Sequence, residues 1–304
     1  MILIAGGTGA LGKRLVPRLL TRRLRVRVLT RDALRSAGYF DAGVEVVQGD
    51  VRDRSSVVSA MKGVETVVSA VHGFAGPGGV SPASVDRDGN VNLIDAATAE
   101  GAAVVLMSVV GASAGSPMEL SRMKHAAEQH VRASGIAWTI IRATAFLETW
   151  LDLLEQSARR TGRPLVFGRG DNPINFVSVA DVAALLERAV TDPSTRGEVL
   201  EIGGPQDLSL NQLAAAVQAA ASRTEAPRRA PRMALRTMDA LLRPFKPELA
   251  RQARAALVMD STEMTFEATA SRETFYGERG ATAVTDVLAQ SASVGPCALS
   301  ARLA

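Results

Sequence analysis

The sequence predicts an α/β protein: a doubly wound parallel sheet with a smaller, mostly helical C-terminal lobe. Three observations predict it. Short β-branched runs alternate with longer segments of helical periodicity, the pattern of strands joined by crossover helices. Most of those runs are apolar almost without interruption, as strands covered on both faces must be. A glycine-rich turn lies between the first run and the first amphipathic segment.

The expected strands are Ile2–Ala5, Arg25–Leu29, Val44–Gln48, Thr66–Val71, Val104–Ser108, Trp138–Arg142, a short one at Ile174–Phe176, and Val199–Ile202. The first helix spans Ala10–Arg22. Its Leu11, Leu15 and Leu19 share one stripe beside Val16 and Leu20, the spacing of a core-facing surface. Further helices fit Ser55–Met61, Asp86–Glu100, Ser121–Ser134, Ala180–Thr191 and Leu210–Ala221. Gly73–Pro82 follows the fourth strand and is a carboxyl-end loop, where sheets of this kind take their ligands. Residues 1–203 form the sheet domain, with 143–163 contributing to a substrate lobe. Residues 204–290 make up that lobe, including the Arg- and Pro-rich stretch 224–246, and 291–304 form a loose tail.

Composition narrows the function. With 47% hydrophobic and 22% charged residues, the 304-residue chain is ordinary globular material. Only 4% is aromatic, so the core is aliphatic. The net charge of +4 is spread along the chain rather than gathered in a tract, which argues against a nucleic-acid partner. No apolar run approaches the roughly 20 residues that span a bilayer. The apolar start Met1–Ala5 is too short for a signal peptide. The single cysteine, Cys297, cannot close an internal disulfide. A reducing, cytoplasmic setting and a small-molecule partner are expected, with the oligomeric state left open.

The strongest motif is Gly6-Gly7-Thr8-Gly9-Ala10-Leu11-Gly12, between strand and helix. Gly6 permits the tight turn, Gly9 lets backbone approach a pyrophosphate, and Gly12 lets helix and strand pack closely. The helix N-terminus offers its N–H groups and positive dipole end to the phosphates. This context makes the sheet a dinucleotide-binding Rossmann fold. Where an NAD site puts a carboxylate after the second strand, this chain has Thr30-Arg31. A guanidinium suits a 2′-phosphate, so NADPH is expected ahead of NADH, with Arg35 one helical turn on to assist. Asp32, one residue further, would restore the acid on a shift of one position. After the third strand, Asp50 suits the adenine amino group, with the next backbone N–H meeting a ring nitrogen. The same Asp equally suits a turn or helix cap.

These stretches resemble the NmrA-like group of atypical short-chain dehydrogenase/reductases, which includes quinone reductases and redox-sensing regulators. The matching segments are Gly6–Gly12, Val26–Asp32, Gly49–Asp53, Gly63–Ala70, Asn90–Gly101, Ser121–Arg142, Phe176–Ala183 and Ile202–Leu213. The resemblance implies that Thr8, Gly9, Ala10 and Leu11 line the pyrophosphate, Arg31 takes the 2′-phosphate, and Asp50 and Val51 meet adenine. It places Ala70 and Val71 beside the adenosine ribose, and Ser108 and Lys124 near the nicotinamide and its ribose.

The usual short-chain dehydrogenase acid is a Tyr four residues before a Lys. Neither Tyr39 nor Tyr276 has a Lys at that spacing, and Leu120 precedes Lys124 by four. Lys124 has two readings: proton transfer to the substrate, or a hydrogen bond to the nicotinamide ribose. It also stands four residues before Glu128, the spacing of an ordinary surface pair. His72, opening the Gly/Pro loop, is a candidate acid or base. His125 and His130 have no further ligands nearby, so no metal is expected. Phe146 and Trp150 can wall a flat, apolar or aromatic substrate, or serve as core. Met233, Met238, Met259 and Met264 read as core or pocket wall, and Arg228, Arg229, Arg232 and Arg236 as a solvated helical face, with a patch for an anionic substrate as the alternative. The function expected is an NADPH-dependent reductase of quinones, enones or similar conjugated carbonyls. A non-catalytic NADP(H) redox sensor and a non-redox isomerase or cyclase are the alternatives.

Overall fold

The computed structural model describes residues 1–33, 37–40, 42–74, 76, 79–267 and 280–293. The described chain divides into two compact units. One comprises Met1–Ala143 and Val179–Glu201; the other comprises Thr144–Ser178 and the described residues from Ile202 onward.

The first unit is the expected doubly wound sheet. Its strands are β1 (Ile2–Ala5), β2 (Val26–Thr30), β3 (Glu45–Gln48), β4 (Thr66–Ser69), β5 (Ala103–Val109), β6 (Trp138–Ala143) and, at the edge, β10 (Val199–Ile202), in the order β10-β6-β5-β4-β1-β2-β3. Every pairing from β3 across to β6 is parallel. All four residues of β1 are buried, which is why it reads as an unbroken apolar run. The helices are α1 (Ala10–Thr21), α2 (Ala37–Phe40), α3 (Arg54–Met61), α4 (Asp88–Glu100), α5 (Glu119–Ala133) and α7 (Val179–Thr191). Leu11, Leu15, Val16 and Leu19 bury the expected stripe of α1. The chain runs outward one way through β2 and β3 and returns to β4 on the other side of β1. The strand order therefore reverses between β1 and β4, and the loops after these two strands flank the switch point where such sheets bind ligands.

Two expectations are corrected here. The fourth helix does not begin at Asp86: a π-helical turn, Pro82–Arg87, precedes α4, capped by the Ser81 hydroxyl. The short strand near Ile174 is not part of the main sheet. It is β9 (Ile174–Val177) of the second unit, between β7 (Ala145–Phe146) and the antiparallel β11 (Asp207–Leu208). The second unit thus takes all of Thr144–Ser178, more than the 143–163 expected, because β9 pairs with β7 and β11.

That unit also holds β8 (Leu165–Phe167) paired with β12 (Arg228–Ala230), and the helices α6 (Leu147–Thr161), α8 (Leu210–Ala220), α9 (Arg232–Leu242), α10 (Pro247–Met259) and α11 (Val284–Ser293). Leu147, Leu151, Leu154, Phe176 and Leu213 form its core. Of the methionines, Met259 is buried and Met264 packs on that core, but Met233 is 68% exposed and Met238 38%. The arginines are not one helical face either: Arg228 and Arg229 lie on β12, and Arg232 at the start of α9 faces Asp260 at 3.3 Å. The tail reading is corrected for Ser291–Ser293, which close α11; Cys297 and the remainder lie outside the described residues.

Candidate functional site

The glycine turn after β1 is built by backbone. Gly6 has φ +89°, and a Cβ there would sit 2.5 Å from the Ala70 carbonyl oxygen in the loop after β4, so only glycine fits. Gly12 allows the close approach expected of it, but against the turn itself: its Cβ would lie 2.3 Å from Gly7 backbone atoms. Gly7, which the motif reading gave no role, lies against Val28 of β2 and would meet that side chain at 2.7 Å. The α1 N-cap, Gly9, carries no side-chain cap, and no acidic residue lies in the first turn. The first-turn N–H groups of an α-helix have no intrahelical acceptor, so at α1 they and the dipole end are available to an anion. Thr8 is partly exposed, and Gly9 and Ala10 are exposed. The uncapped, exposed helix start therefore fits a dinucleotide pyrophosphate, and a Cβ at Gly6, Gly7 or Gly12 would collide with the Ala70 carbonyl, the Val28 side chain or the Gly7 backbone and force the turn apart.

Sequence reading missed Tyr39 here. Its hydroxyl donates to the Gly7 carbonyl at 2.7 Å, tying α2 to the turn, and burial pushes the phenol up to about 12.

At the end of β2, Arg31 and Asp32 are both exposed. The Thr30 hydroxyl closes the turn by accepting from the Asp32 N–H at 3.3 Å. Arg35 lies outside the described residues. Asp50 differs from the expectation in its bonding: both carboxylate oxygens accept from the Arg52 guanidinium, at 2.7–3.1 Å. That hydrogen bonding, opposed by partial burial and helped by the charges of Arg52 and Arg31, holds the Asp50 carboxyl below the usual range. The alternative reading of Asp50 as a turn residue has support, since it also accepts from the Arg52 N–H at 3.0 Å. Val51 is nearly buried, and its carbonyl accepts from the Asn92 side chain at 2.9 Å.

On the other side of the switch point, three charged or titratable side chains converge. Lys124, on α5, is 4% exposed. It donates to the Val71 carbonyl at 3.0 Å, and its ammonium lies 3.0 Å from Asp86 Oδ1. The π-turn holds Asp86, fully buried, with Oδ2 accepting from the Gly73 N–H at 2.9 Å. His72, with a side chain 54% exposed, places Nδ1 3.9 Å from the same Oδ1, and its ring stacks near Phe74. Burial pushes the Asp86 carboxyl up, but the Lys124 ammonium beside it, with His72 close by, outweighs that, so the group stays below its ordinary value. Beneath it, Asn90 donates to the Asp86 carbonyl at 2.7 Å and Ser69 donates to Asn90 at 2.5 Å. Sequence reading gave Asp86 and Asn90 no functional role: they entered only as the expected start of a helix and of a matched segment.

The expected surface pair of Lys124 and Glu128 is overturned. Both are buried, and each takes its partner from another element. Glu128 accepts from Arg142 of β6 at 2.7 and 3.0 Å and from the Ser108 hydroxyl at 2.5 Å. Arg142 reaches Glu201 as well, and these bonds with Glu128 raise the guanidinium further above its ordinary value. Ser108 therefore turns its hydroxyl to this interior pair. The signal was present in sequence: an Arg inside the apolar run Trp138–Ala143 must be paired.

In the second unit, Phe146 pairs through β7 with Val177, and both Phe146 and Trp150 are partly buried. Trp150 meets Phe176 edge-on at 6.3 Å between ring centres and packs on the core. Among the described residues no group of His, Cys, Asp and Glu is arranged to hold a metal, and His130 pairs with Asp95 at 2.8 Å. Among the same residues no helix is long and apolar enough to cross a membrane.

A model of the NAD(P)H-binding family matches residues 6–193. The chain is 31% identical over 225 residues to an NAD(P)H azoreductase of Xenophilus azovorans, covering 73% of this chain and 74% of that protein. It is 30% identical over 216 residues to the (4-alkanoyl-5-oxo-2,5-dihydrofuran-3-yl)methyl phosphate reductase of Streptomyces griseus, covering 70% and 71%. Its fold is similar to the crystal structure of an NADPH-dependent quinone oxidoreductase of Escherichia coli complexed with NADPH. The TM-score is 0.76 at 22% identity, over 96% of this chain and 99% of the other.

Proposed function

This chain belongs to the NAD(P)H-binding family, and from that premise we propose that it is an NADPH-dependent reductase of quinones, enones or similar conjugated carbonyls. Lys124 serves as its proton donor. The observation that carries the reading is the buried Lys124 ammonium, held by Asp86 and the Val71 carbonyl beside the switch point where the cofactor binds. When bound, NADPH supplies a hydride. The chain's residues do the rest. First-turn N–H groups at Ala10, Leu11 and Gly12 hold the pyrophosphate, with Thr8 and Gly9 beside them. Arg31 pairs with the 2′-phosphate. Val51 packs beside the adenine, and Asp50 acts there by orienting Arg52. Ala70 and Val71 follow the adenosine ribose, and Ser108 backs the nicotinamide side through Glu128. Lys124 Nζ gives a proton to the oxygen that gains charge as the acceptor is reduced. A conjugated acceptor spreads that charge, so one ammonium suffices where an isolated ketone calls for a dedicated tyrosine.

One named relative supports the conjugated-carbonyl class, and the other names a different acceptor. One is a reductase of a 5-oxo-2,5-dihydrofuran, whose carbonyl is conjugated with the ring double bond, and another reduces an azo group. Phe146 and Trp150 are the proposed aromatic wall for a flat, apolar substrate. Steady-state oxidation of NADPH and of NADH against a panel of quinones, enones and azo dyes tests the reading. Turnover of at least one conjugated acceptor, faster with NADPH, is expected. Tight NADPH binding without turnover of any acceptor would instead make the protein a redox sensor.

A further inference from the structure

In the reading so far Asp86 only holds the Lys124 ammonium, yet this fully buried carboxylate also faces the half-exposed His72. We propose that His72, Asp86 and Lys124 form a proton relay that recharges Lys124 from solvent between turnovers. The inference rests on the reductase reading, in which Lys124 loses a proton to the substrate.

The geometry carries it. One oxygen, Asp86 Oδ1, faces both nitrogens: Lys124 Nζ at 3.0 Å and His72 Nδ1 at 3.9 Å. The other oxygen is fixed by the Gly73 N–H at 2.9 Å, so the carboxylate cannot turn away from either nitrogen without losing that bond. The Asn90 and Ser69 chain below anchors the same turn. Lys124 itself is closed off, at 4% exposure, while the His72 side chain is 54% exposed. A buried amine that has given up its proton needs a route to water, and His72, from the loop after β4, supplies one through Asp86 to Lys124 of α5, while the Gly73 N–H fixes the Asp86 carboxylate and Asn90 of α4 fixes its backbone. The 3.9 Å gap exceeds hydrogen-bond length, but a half-exposed imidazole has room to swing across it, and such contacts tighten as a site fills.

The proton balance is simple. Lys124 Nζ–H breaks as the acceptor O–H forms, leaving a neutral amine. His72, protonated from solvent, passes its Nδ1 proton to Asp86 Oδ1, and Asp86 passes it on to Nζ. The carboxylate and the ammonium are restored, the imidazole takes its next proton from water, and no electrons move in the relay.

The test is His72→Phe, which keeps an aromatic ring beside Phe74 and removes the proton carrier. With a quinone acceptor, turnover is expected to fall roughly tenfold to a hundredfold, with NADPH affinity unchanged, and added imidazole is expected to restore it. A purely structural histidine would not be rescued by imidazole. A second measurement needs neither cofactor nor substrate: solvent exchange of the Lys124 Nζ protons, read by NMR on 15N-lysine protein. The relay predicts slower exchange in His72→Phe and recovery with imidazole. Unchanged turnover and unchanged exchange in the variant would overturn the relay while leaving the reductase reading intact. A wild-type protein that turns over no acceptor would fail the reductase reading and with it the relay's role in turnover; the exchange measurement would still decide whether the proton path exists.

Discussion

The turn after β1 and the cluster beyond β4 lie either side of one switch point and are built on opposite principles. The turn uses almost no side chains. Gly6, Gly7 and Gly12 leave room, and backbone N–H groups with a helix dipole provide the attraction. The cluster is all side chain, with Asp86 and Lys124 buried together and His72 at the edge. A backbone cradle costs little to desolvate and suits affinity for a constant group such as a pyrophosphate. A buried ion pair is costly to desolvate and is the wrong device for affinity, but it can hold a proton at a fixed point. On the proposed reading, binding belongs to one region and chemistry to the other, and that division can be broken or sharpened by substitution.

The largest expected effect is at Asp86. Asp86→Ala leaves the Lys124 ammonium buried without its counter-charge, and removal of one partner from a buried pair costs about 3–5 kcal/mol. Chemical denaturation of Asp86→Ala and of the double variant Asp86→Asn/Lys124→Met checks this, with the double variant the more stable of the two. A loss below about 1 kcal/mol in Asp86→Ala would mean that the pair is solvated. Next comes the cradle. Gly6→Ala meets the Ala70 carbonyl and a φ of +89°, and NADPH affinity by calorimetry is expected to fall about a hundredfold, or roughly 2.7 kcal/mol. Gly38→Ala, which meets no atom within 4 Å, is the control.

Smaller is the effect of Arg31→Ala: about tenfold weaker NADPH binding, with NADH unaffected, since only the 2′-phosphate contact is lost. Equal loss for both cofactors would move the specificity to Asp32. Smallest is a pH effect. The folded-state pKa of Asp86 is lowered from an ordinary 3.8, so its contribution to stability is present above that value and is lost as pH falls through the folded value. Wild-type protein should therefore lose more stability than Asp86→Asn when acidified below about pH 4, as thermal melts across that range will show.

The same contrast explains what could be read from sequence. The cradle is local: seven consecutive residues between a buried strand and a periodic helix carry it, so the Gly6–Gly12 turn and the parallel sheet were legible. The NmrA-like assignment followed from the same stretches. The cluster joins residues 72, 86 and 124 through a π-turn that has no periodicity to betray it. Helical spacing actively misled at Lys124 and Glu128, which do share a face, but a buried one where each meets an opposite charge from elsewhere. In the second unit, β7 and β11 have two residues each and β8 and β12 three, too few to show an alternating pattern.

The division between binding and chemistry is tested most directly by measuring NADPH affinity and quinone turnover together in Lys124→Met/Asp86→Asn, which removes both buried charges at once. The account predicts affinity within about threefold of wild type and turnover reduced about a hundredfold. Affinity falling in step with turnover would contradict it, and would make Lys124 a ligand of the nicotinamide ribose rather than the proton donor.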